Sequence, residues 1–225
     1  MIPIITSITL IISFMMINPP SNLIKQTRDQ IANLNISFYQ KNYPQNCSIN
    51  MLSESLGKLL NEKEIPKSLK FQGDYKKAIN KLDDSYEEFK KFYQTKPEMD
   101  TLKKIFRTVN NNFNSLYGKF FLNELRRSSK PGIIIFAASL SCECTLDMCY
   151  KQETEVELLK KENPDLLEYA VIDAYEDSEL KDKYKVGFIP AAILQDADGK
   201  EVRRFVLADN LYAEMKSLIV IKEHK

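Results

Sequence analysis

The sequence has no tryptophan, a single histidine and only six glycines in 225 residues. So few glycines, with 44% hydrophobic and 28% charged residues, exclude a collagen-like or disordered chain and are typical of a globular protein. The histidine, His224, follows a short apolar run at the end of the chain, where we expect a solvated tail. Basic residues alternate with acidic ones and form no nucleic-acid-binding motif, so we predict no nucleic-acid partner.

Charge is also missing from the beginning of the chain, where residues 1–18 carry no charged side chain. The apolar run is shorter than the roughly 20 residues of a membrane span and fits the hydrophobic region of a signal peptide. We therefore expect residues 1–20 to be a signal peptide or membrane anchor, and the protein to be exported or membrane-anchored. If the anchor is retained, Lys25 and Arg28 favour a cytoplasmic-facing chain, which stays an alternative.

Residues 21–130 have helical periodicity and predict an all-α region. Two helical stretches break near Pro44, and two longer ones flank Pro97, which suits the first turn of a helix. The longer pair predicts an antiparallel hairpin whose aromatic stripe packs in the core, the alternative being an exposed docking surface. The stripe consists of Tyr75, Ile79, Leu82, Tyr86, Phe89 and Tyr93, then Leu102, Ile105, Val109, Phe113, Leu116 and Phe120.

Charge divides the chain near residue 130. Residues 21–130 carry 20 basic and 12 acidic side chains, whereas residues 131–225 carry 12 and 19. This asymmetry indicates two units with different surroundings. Either the two neutralise each other on contact, or the basic region lies on an anionic membrane surface.

Residues 131–225 change to short strands alternating with helices. The apolar run 133–137 is typical of a strand buried on both faces, and Asp198-Gly199 is a hairpin turn signal. Asp209 is a suitable N-cap for the last helix. This order predicts a mixed sheet with helices on both faces. The predicted strands are 133–137, 167–174, 191–194 and 201–206, and the predicted helices are 145–162, 177–185 and 209–221.

This order, with cysteines directly after the first strand, resembles the thioredoxin-like fold superfamily. Val171-Ile172-Asp173 is similar to the end of the family's next strand, and residues 184–190 match its Tyr-x-Val-x-x-Ile-Pro segment. The hairpin 195–201 matches its final turn. The resemblance implies an α/β fold in which residues 131–225 form a thioredoxin-like domain behind the helical region 21–130.

The resemblance also implies the site. It places a cis peptide bond before Pro190, and Ile189 and Pro190 in the groove where partners dock. The family's Cys-x-x-Cys falls on Ser141-Cys142-Glu143-Cys144, so a serine stands at the usual attacking position. A one-residue shift makes Cys142 the attacking cysteine and Cys144 its partner. Their disulfide would close a small, strained ring, which is typical of a labile, oxidising bond.

Other positions depart from the family pattern. Ile135 stands where the family commonly has a buried carboxylate, and Ala137 and Leu140 where aromatic residues are usual. Ala191 follows the predicted cis proline in place of the usual threonine. These departures favour a slow or dedicated enzyme, or a binding protein, over a general-purpose thioredoxin.

The expected chemistry of the cysteines follows from the helix that begins near them. A helix N-terminus stabilises thiolates, which makes Cys142 and Cys144 reactive, whereas the neighbouring Glu143 and Asp147 would oppose thiolate formation. Cys149 is a possible accessory thiol further along the helix. In the helical region, Cys47 is predicted to be a small core residue. In an exported chain, a disulfide between Cys47 and Cys149 is the alternative.

The sequence therefore predicts a thiol-disulfide oxidoreductase that acts on protein or small thiols through Cys142 and Cys144, without a cofactor. A non-catalytic thioredoxin-like binding or scaffold protein is the alternative. A third possibility is a copper or zinc site, because Cys-x-Cys-x4-Cys clusters three soft ligands. With no histidine nearby, such a site would need Cys47 or an acidic side chain as a fourth ligand, and we assign no metal.

Overall fold

A computed structural model describes residues 20–61 and 75–223 of the chain. The predicted leader and His224 lie outside these residues, so the signal peptide or anchor stays a prediction. Within the two described ranges, no helix has both the length and the apolar character that crossing a bilayer requires. The first four elements are the helices α1 (Pro20–Tyr39), α2 (Asn46–Asn61), α3 (Tyr75–Gln94) and α4 (Met99–Arg127).

The helical hairpin of α3 and α4 is confirmed, and its aromatic stripe faces the core. The rings of Phe89 and Phe106 pack with centroids 4.9 Å apart, and both side chains are fully buried. The core interpretation of the stripe is therefore confirmed. Contrary to expectation, Pro97 is not in the first turn of α4. It lies in the connection before the helix, because Glu98 is the N-cap and α4 begins at Met99.

The sheet follows in residues 132–206. Its strand order is β2-β1-β3-β4, with β1 and β2 parallel and the other two pairs antiparallel. A parallel pair requires a crossover, and the helix after β1 provides it. The strands are β1 (Gly132–Ala137), β2 (Glu168–Asp173), β3 (Ala191–Gln195) and β4 (Glu201–Val206), and the helices are α5 (Glu143–Glu162), α6 (Ser178–Lys183) and α7 (Leu211–Glu223).

Helices cover both faces of this sheet, which confirms the predicted α/β architecture. Every side chain of β1 is buried, and neighbouring residues belong to different clusters because side chains alternate along a strand. Ile134 and Phe136 pack into one cluster with the four-helix region, and Ile133 and Ile135 pack into another with α5 and α7. The helical region thus forms one of the two layers that bury the sheet.

The last helix is capped by Asn210, not by Asp209 as expected. The Ala213 backbone N–H donates a hydrogen bond to Asn210 Oδ1 over 3.1 Å. The helix begins at Leu211, so Asn210 is the residue directly before it, from which a short side chain reaches the third helical N–H.

Ion pairs join the basic helical region to the acidic sheet region, as one of the two interpretations of the charge division predicts. Each pair has its cation in α1 or α4 and its carboxylate in or beside α5, β2 or α6. Contact therefore neutralises part of the opposite net charges of the two regions. The pairs are Arg28–Glu168, Lys104–Glu143, Arg107–Glu143, Arg107–Asp147 and Lys119–Asp177.

Candidate redox site

Cys142 and Cys144 lie together at the N-terminus of α5. Cys142 is the N-cap residue and Cys144 is in the first turn, and both side chains are exposed. Their sulfur atoms are 2.7 Å apart, and Thr145 Oγ1 is 3.2 Å from Cys142 Sγ. A disulfide has its sulfurs about 2.05 Å apart, so the two sulfur atoms are already close to bonding distance.

The surroundings of Cys142 favour its thiolate. The Cys144 thiol is the largest influence, followed by the Thr145 hydroxyl and the Thr145 backbone N–H, and together they lower the pKa of Cys142 to about 7. The Ser141 hydroxyl acts in the same direction with a smaller effect. About half of Cys142 is then a thiolate at neutral pH, and the thiolate is the form that attacks disulfides.

The carboxylates near the cysteines are paired with cations, whereas the sequence alone predicts that these carboxylates oppose thiolate formation. Arg107 in α4 donates hydrogen bonds to Glu143 and Asp147, each over 3.0 Å, and Lys104 lies 3.4 Å from Glu143. Arg107 holds the pKa of Glu143 below its usual value. The prediction that Glu143 and Asp147 oppose thiolate formation is therefore wrong, because the α4 cations balance their charge.

Replacing Arg107 by methionine is expected to raise the pKa of Cys142 by about 0.5 unit. The change keeps the buried stem of the side chain but removes the cation of Asp147 and leaves Glu143 with Lys104 alone. The measurement is the pH midpoint of Cys142 alkylation by iodoacetamide. Arg127→Met is the control, because Arg127 is an exposed arginine at the far end of the same helix. Equal midpoints in the two variants would contradict the prediction.

The other two cysteines lie elsewhere. Cys149 is buried against the sheet, where the Ala138 N–H donates to its sulfur over 3.4 Å and burial raises its pKa to about 11. Cys47 is exposed in the first turn of α2, so its expected core position is wrong; α2 turns Leu52 and Leu56 to the core instead. All four cysteines are free thiols, which gives no support to a Cys47–Cys149 disulfide.

A three-cysteine metal site is not formed, because Cys149 is in the core while Cys142 and Cys144 face solvent. Within the described ranges, no three side chains of His, Cys, Asp or Glu are placed to hold one metal ion.

The peptide bond between Ile189 and Pro190 is cis, as the resemblance implies. Pro190 is buried and Ile189 is half-buried. Ala191, the next residue, pairs with Phe136 near the end of β1. The proline therefore lies at the edge of the sheet from which the loop 138–142 leads to the cysteines.

Exposed apolar side chains surround this edge of the sheet. Three strands end here and β3 begins here, and each of the four connections carries one large exposed side chain. These residues, which we call the apolar rim, are Leu140, Tyr175, Phe188 and Leu207, with 66%, 59%, 69% and 43% of their surface exposed. Sequence reasoning singled out only Leu140, because the strand topology is what brings the others together.

Two of the three buried glutamates of α5, Glu153 and Glu157, have hydrogen-bond partners from the asparagines of α1 and α4. Glu153 accepts hydrogen bonds from Asn110 and Asn114, and Glu157 accepts one from Asn35. Burial raises the pKa of Glu153 to about 7, and burial together with the charge of Glu153 raises the pKa of Glu157 well above its usual value. Glu157 therefore keeps its proton to a higher pH than an exposed glutamate does.

Replacing Glu157 by glutamine is expected to stabilise the fold at high pH. The folded chain binds the carboxyl protons of Glu153 and Glu157 more tightly than the unfolded chain does. The free energy of unfolding therefore falls as pH rises from about 4.3 through the raised pKa values. Glutamine stays neutral, and we expect a gain of about 1 kcal/mol at pH 8 and none at pH 5. Denaturant unfolding at both pH values measures this gain in stability. The control is Glu179→Gln, because Glu179 is an exposed glutamate. A gain that is equal at both pH values would exclude this cause.

Comparisons with known proteins give similarity to solved thioredoxins. No protein-family model and no curated protein sequence matches the chain. The Fasciola hepatica thioredoxin is 27% identical, with 48% of this chain and 90% of that chain covered and a TM-score of 0.36. Oxidised mitochondrial thioredoxin 3 of Saccharomyces cerevisiae is 16% identical (45% and 86% covered, TM-score 0.36), and thioredoxin NaTrxh of Nicotiana alata is 22% identical (45% and 81%, TM-score 0.35).

The fold itself is evident from the geometry of this chain. The strand order is β2-β1-β3-β4, a helix with cysteines at its N-terminus follows β1, and a cis proline precedes β3. This combination is the arrangement that the sequence resemblance implies. Residues 131–223 of this chain therefore have a thioredoxin-like fold.

Proposed function

We propose that the protein is a thiol-disulfide oxidoreductase that uses Cys142 and Cys144. The observation that carries the proposal is a pair of exposed sulfur atoms 2.7 Å apart at a helix N-terminus, with the pKa of Cys142 lowered to about 7. The Cys142 thiolate attacks a disulfide, one sulfur leaves as a thiol, and a mixed disulfide forms. Cys144 then attacks Cys142 and releases the second thiol.

The apolar rim and the cis proline support a polypeptide as one partner of this reaction. Ile189 and Pro190 would position the segment that carries the reacting sulfur, and exposed Leu140 and Phe188 would contact its apolar side chains. Ser141 would lie beside the mixed disulfide, since it is the exposed neighbour of Cys142.

We also infer that the protein is exported or attached to a membrane through residues 1–20. The support is the uncharged apolar run of the sequence alone. The mature N-terminus, determined in the native host together with the fraction that sediments with membranes, tests this inference. A full-length chain found only in the soluble cytoplasm would overturn it.

An insulin-reduction assay tests the proposed chemistry. With dithiothreitol as reductant, we expect the wild type to accelerate precipitation of the insulin B chain and Cys142→Ser/Cys144→Ser to fall to the uncatalysed rate. Cys47→Ser is the matched control, because Cys47 is an exposed thiol outside the site. Cys144→Ser alone is expected to trap a mixed disulfide on Cys142. Equal turnover by wild type and double variant would favour the non-catalytic binding or scaffold protein.

A further inference from the structure

A cavity of about 480 Å³ opens beside the cysteine loop, between the helical hairpin and the edge of the sheet. Lys77 and Lys81 line it from α3, and Asp173 and Glu176 line it from the end of β2 and the following turn. Leu140 connects the cavity to the loop that carries Cys142. Small-molecule sites commonly have volumes of about 300–1,000 Å³, so the cavity is large enough for a compact ligand.

Asp173, which lines this cavity, has a carboxyl oxygen without a hydrogen-bond donor. The residue is only 4% exposed, and its Oδ1 accepts a hydrogen bond from the Tyr175 backbone N–H over 2.9 Å. Its Oδ2 is buried and has no partner in the part of the chain that the structure describes. A buried carboxyl oxygen without a partner is costly, and rotation of the Asp173 carboxyl group toward the cavity would let a ligand N–H or ammonium group satisfy it.

The charges of the lining indicate which ligand fits. Asp173 and Glu176 offer two carboxyl groups, whereas Lys77 and Lys81 offer two ammonium groups that form no ion pair with any described residue. The α4 side chains between them are polar and include Asn112, whose amide donates to the Lys81 carbonyl over 3.1 Å. A molecule with both an ammonium and a carboxylate group matches both walls, whereas a purely anionic or cationic one matches only one.

We propose that this cavity binds the small disulfide of an amino-acid or short-peptide thiol, and that this molecule exchanges with the Cys142–Cys144 pair. The proposal rests on the proposed oxidoreductase function and names its small-molecule substrate. Cys142 thiolate attacks one ligand sulfur, the ligand S–S bond breaks, and one ligand thiol leaves. Cys144 then displaces the second ligand thiol and forms the Cys142–Cys144 disulfide, so the cysteine pair loses two electrons and two protons that the two ligand thiols gain.

The test measures binding to the full chain with Cys142→Ser/Cys144→Ser, which cannot exchange. The probes are cystine, cystamine (no carboxylate) and dithiodiglycolate (no ammonium), titrated separately and followed by NMR. We expect cystine to bind about tenfold more tightly than either of the others, because only cystine engages both walls. Equal affinities, or no saturable cystine binding, would overturn the proposal.

Further substitutions on the same background locate the site. Lys77→Ala/Lys81→Ala is expected to weaken cystine about tenfold. Lys76→Ala/Lys91→Ala removes the same charge from exposed positions of α3 outside the cavity and should leave binding unchanged. Equal loss in both pairs would show non-specific attraction and overturn the site. If the wild type reduces insulin but the chain does not bind cystine, only this inference is wrong. If the chain binds cystine but the wild type does not reduce insulin, the proposed function is wrong.

Discussion

Replacing Gly118 by alanine is expected to lower the free energy of unfolding by about 2–3 kcal/mol, although alanine is the better helix former. A Cβ atom on Gly118 would lie 2.3 Å from the Val171 carbonyl oxygen, which belongs to the backbone of β2. Backbone in the middle of a buried sheet has little room to move. Helix α4 would therefore shift away from β2 and open the core that the two share, a loss that denaturant unfolding measures.

Gly57→Ala is the matched control for this prediction. Gly57 also lies inside a helix, α2, but nothing is within 4 Å of the position that its Cβ would take. Alanine there removes the usual cost of a helical glycine, so we expect a gain of about 0.5–1 kcal/mol. Opposite signs at the two glycines are the expected result. A gain at both would show that α4 does not approach β2 closely.

Gly118 also shows where sequence reasoning about the fold stops. The period of apolar residues predicts α3, α4 and β1, because each of these patterns is a local property of the chain. The local sequence gives no reason for a glycine within α4, because glycine weakens a helix. Its reason is a backbone contact with β2, which is distant in sequence, and periodicity carries no information about that contact.

The same limit applies to the candidate site. The cysteine pair and the cis peptide bond before Pro190 follow from short motifs, and the structure places them at the same edge of the sheet. The predicted effect of Glu143 is cancelled in the structure, because its partner Arg107 comes from α4 and belongs to no motif. The buried position of Glu157 was also missed, because a glutamate on a helix is ordinarily a solvated residue.

Replacing Cys144 by alanine is expected to raise the pKa of Cys142 from about 7 towards the value of an exposed thiol, about 8.5. The Cys144 thiol is the largest influence that favours the Cys142 thiolate, and alanine has no group to replace it. The thiolate fraction at pH 7 would then fall from about half to a few per cent. Alkylation of Cys142 by iodoacetamide, followed by mass spectrometry across pH, measures this change as a thiolate fraction about fifteenfold lower at pH 7.

Cys144→Ser and Thr145→Val separate the causes of the lowered pKa. Serine keeps a hydroxyl donor at the position of the Cys144 thiol, so its midpoint should fall between those of the wild type and Cys144→Ala. Thr145→Val removes the hydroxyl 3.2 Å from Cys142 Sγ but keeps the backbone N–H, so a smaller rise is expected. If the midpoint stays near 7 in Cys144→Ala, the neighbouring thiol is not the cause, and Thr145 and the helix N-terminus activate Cys142. Resolution of a mixed disulfide would then be the single task of Cys144.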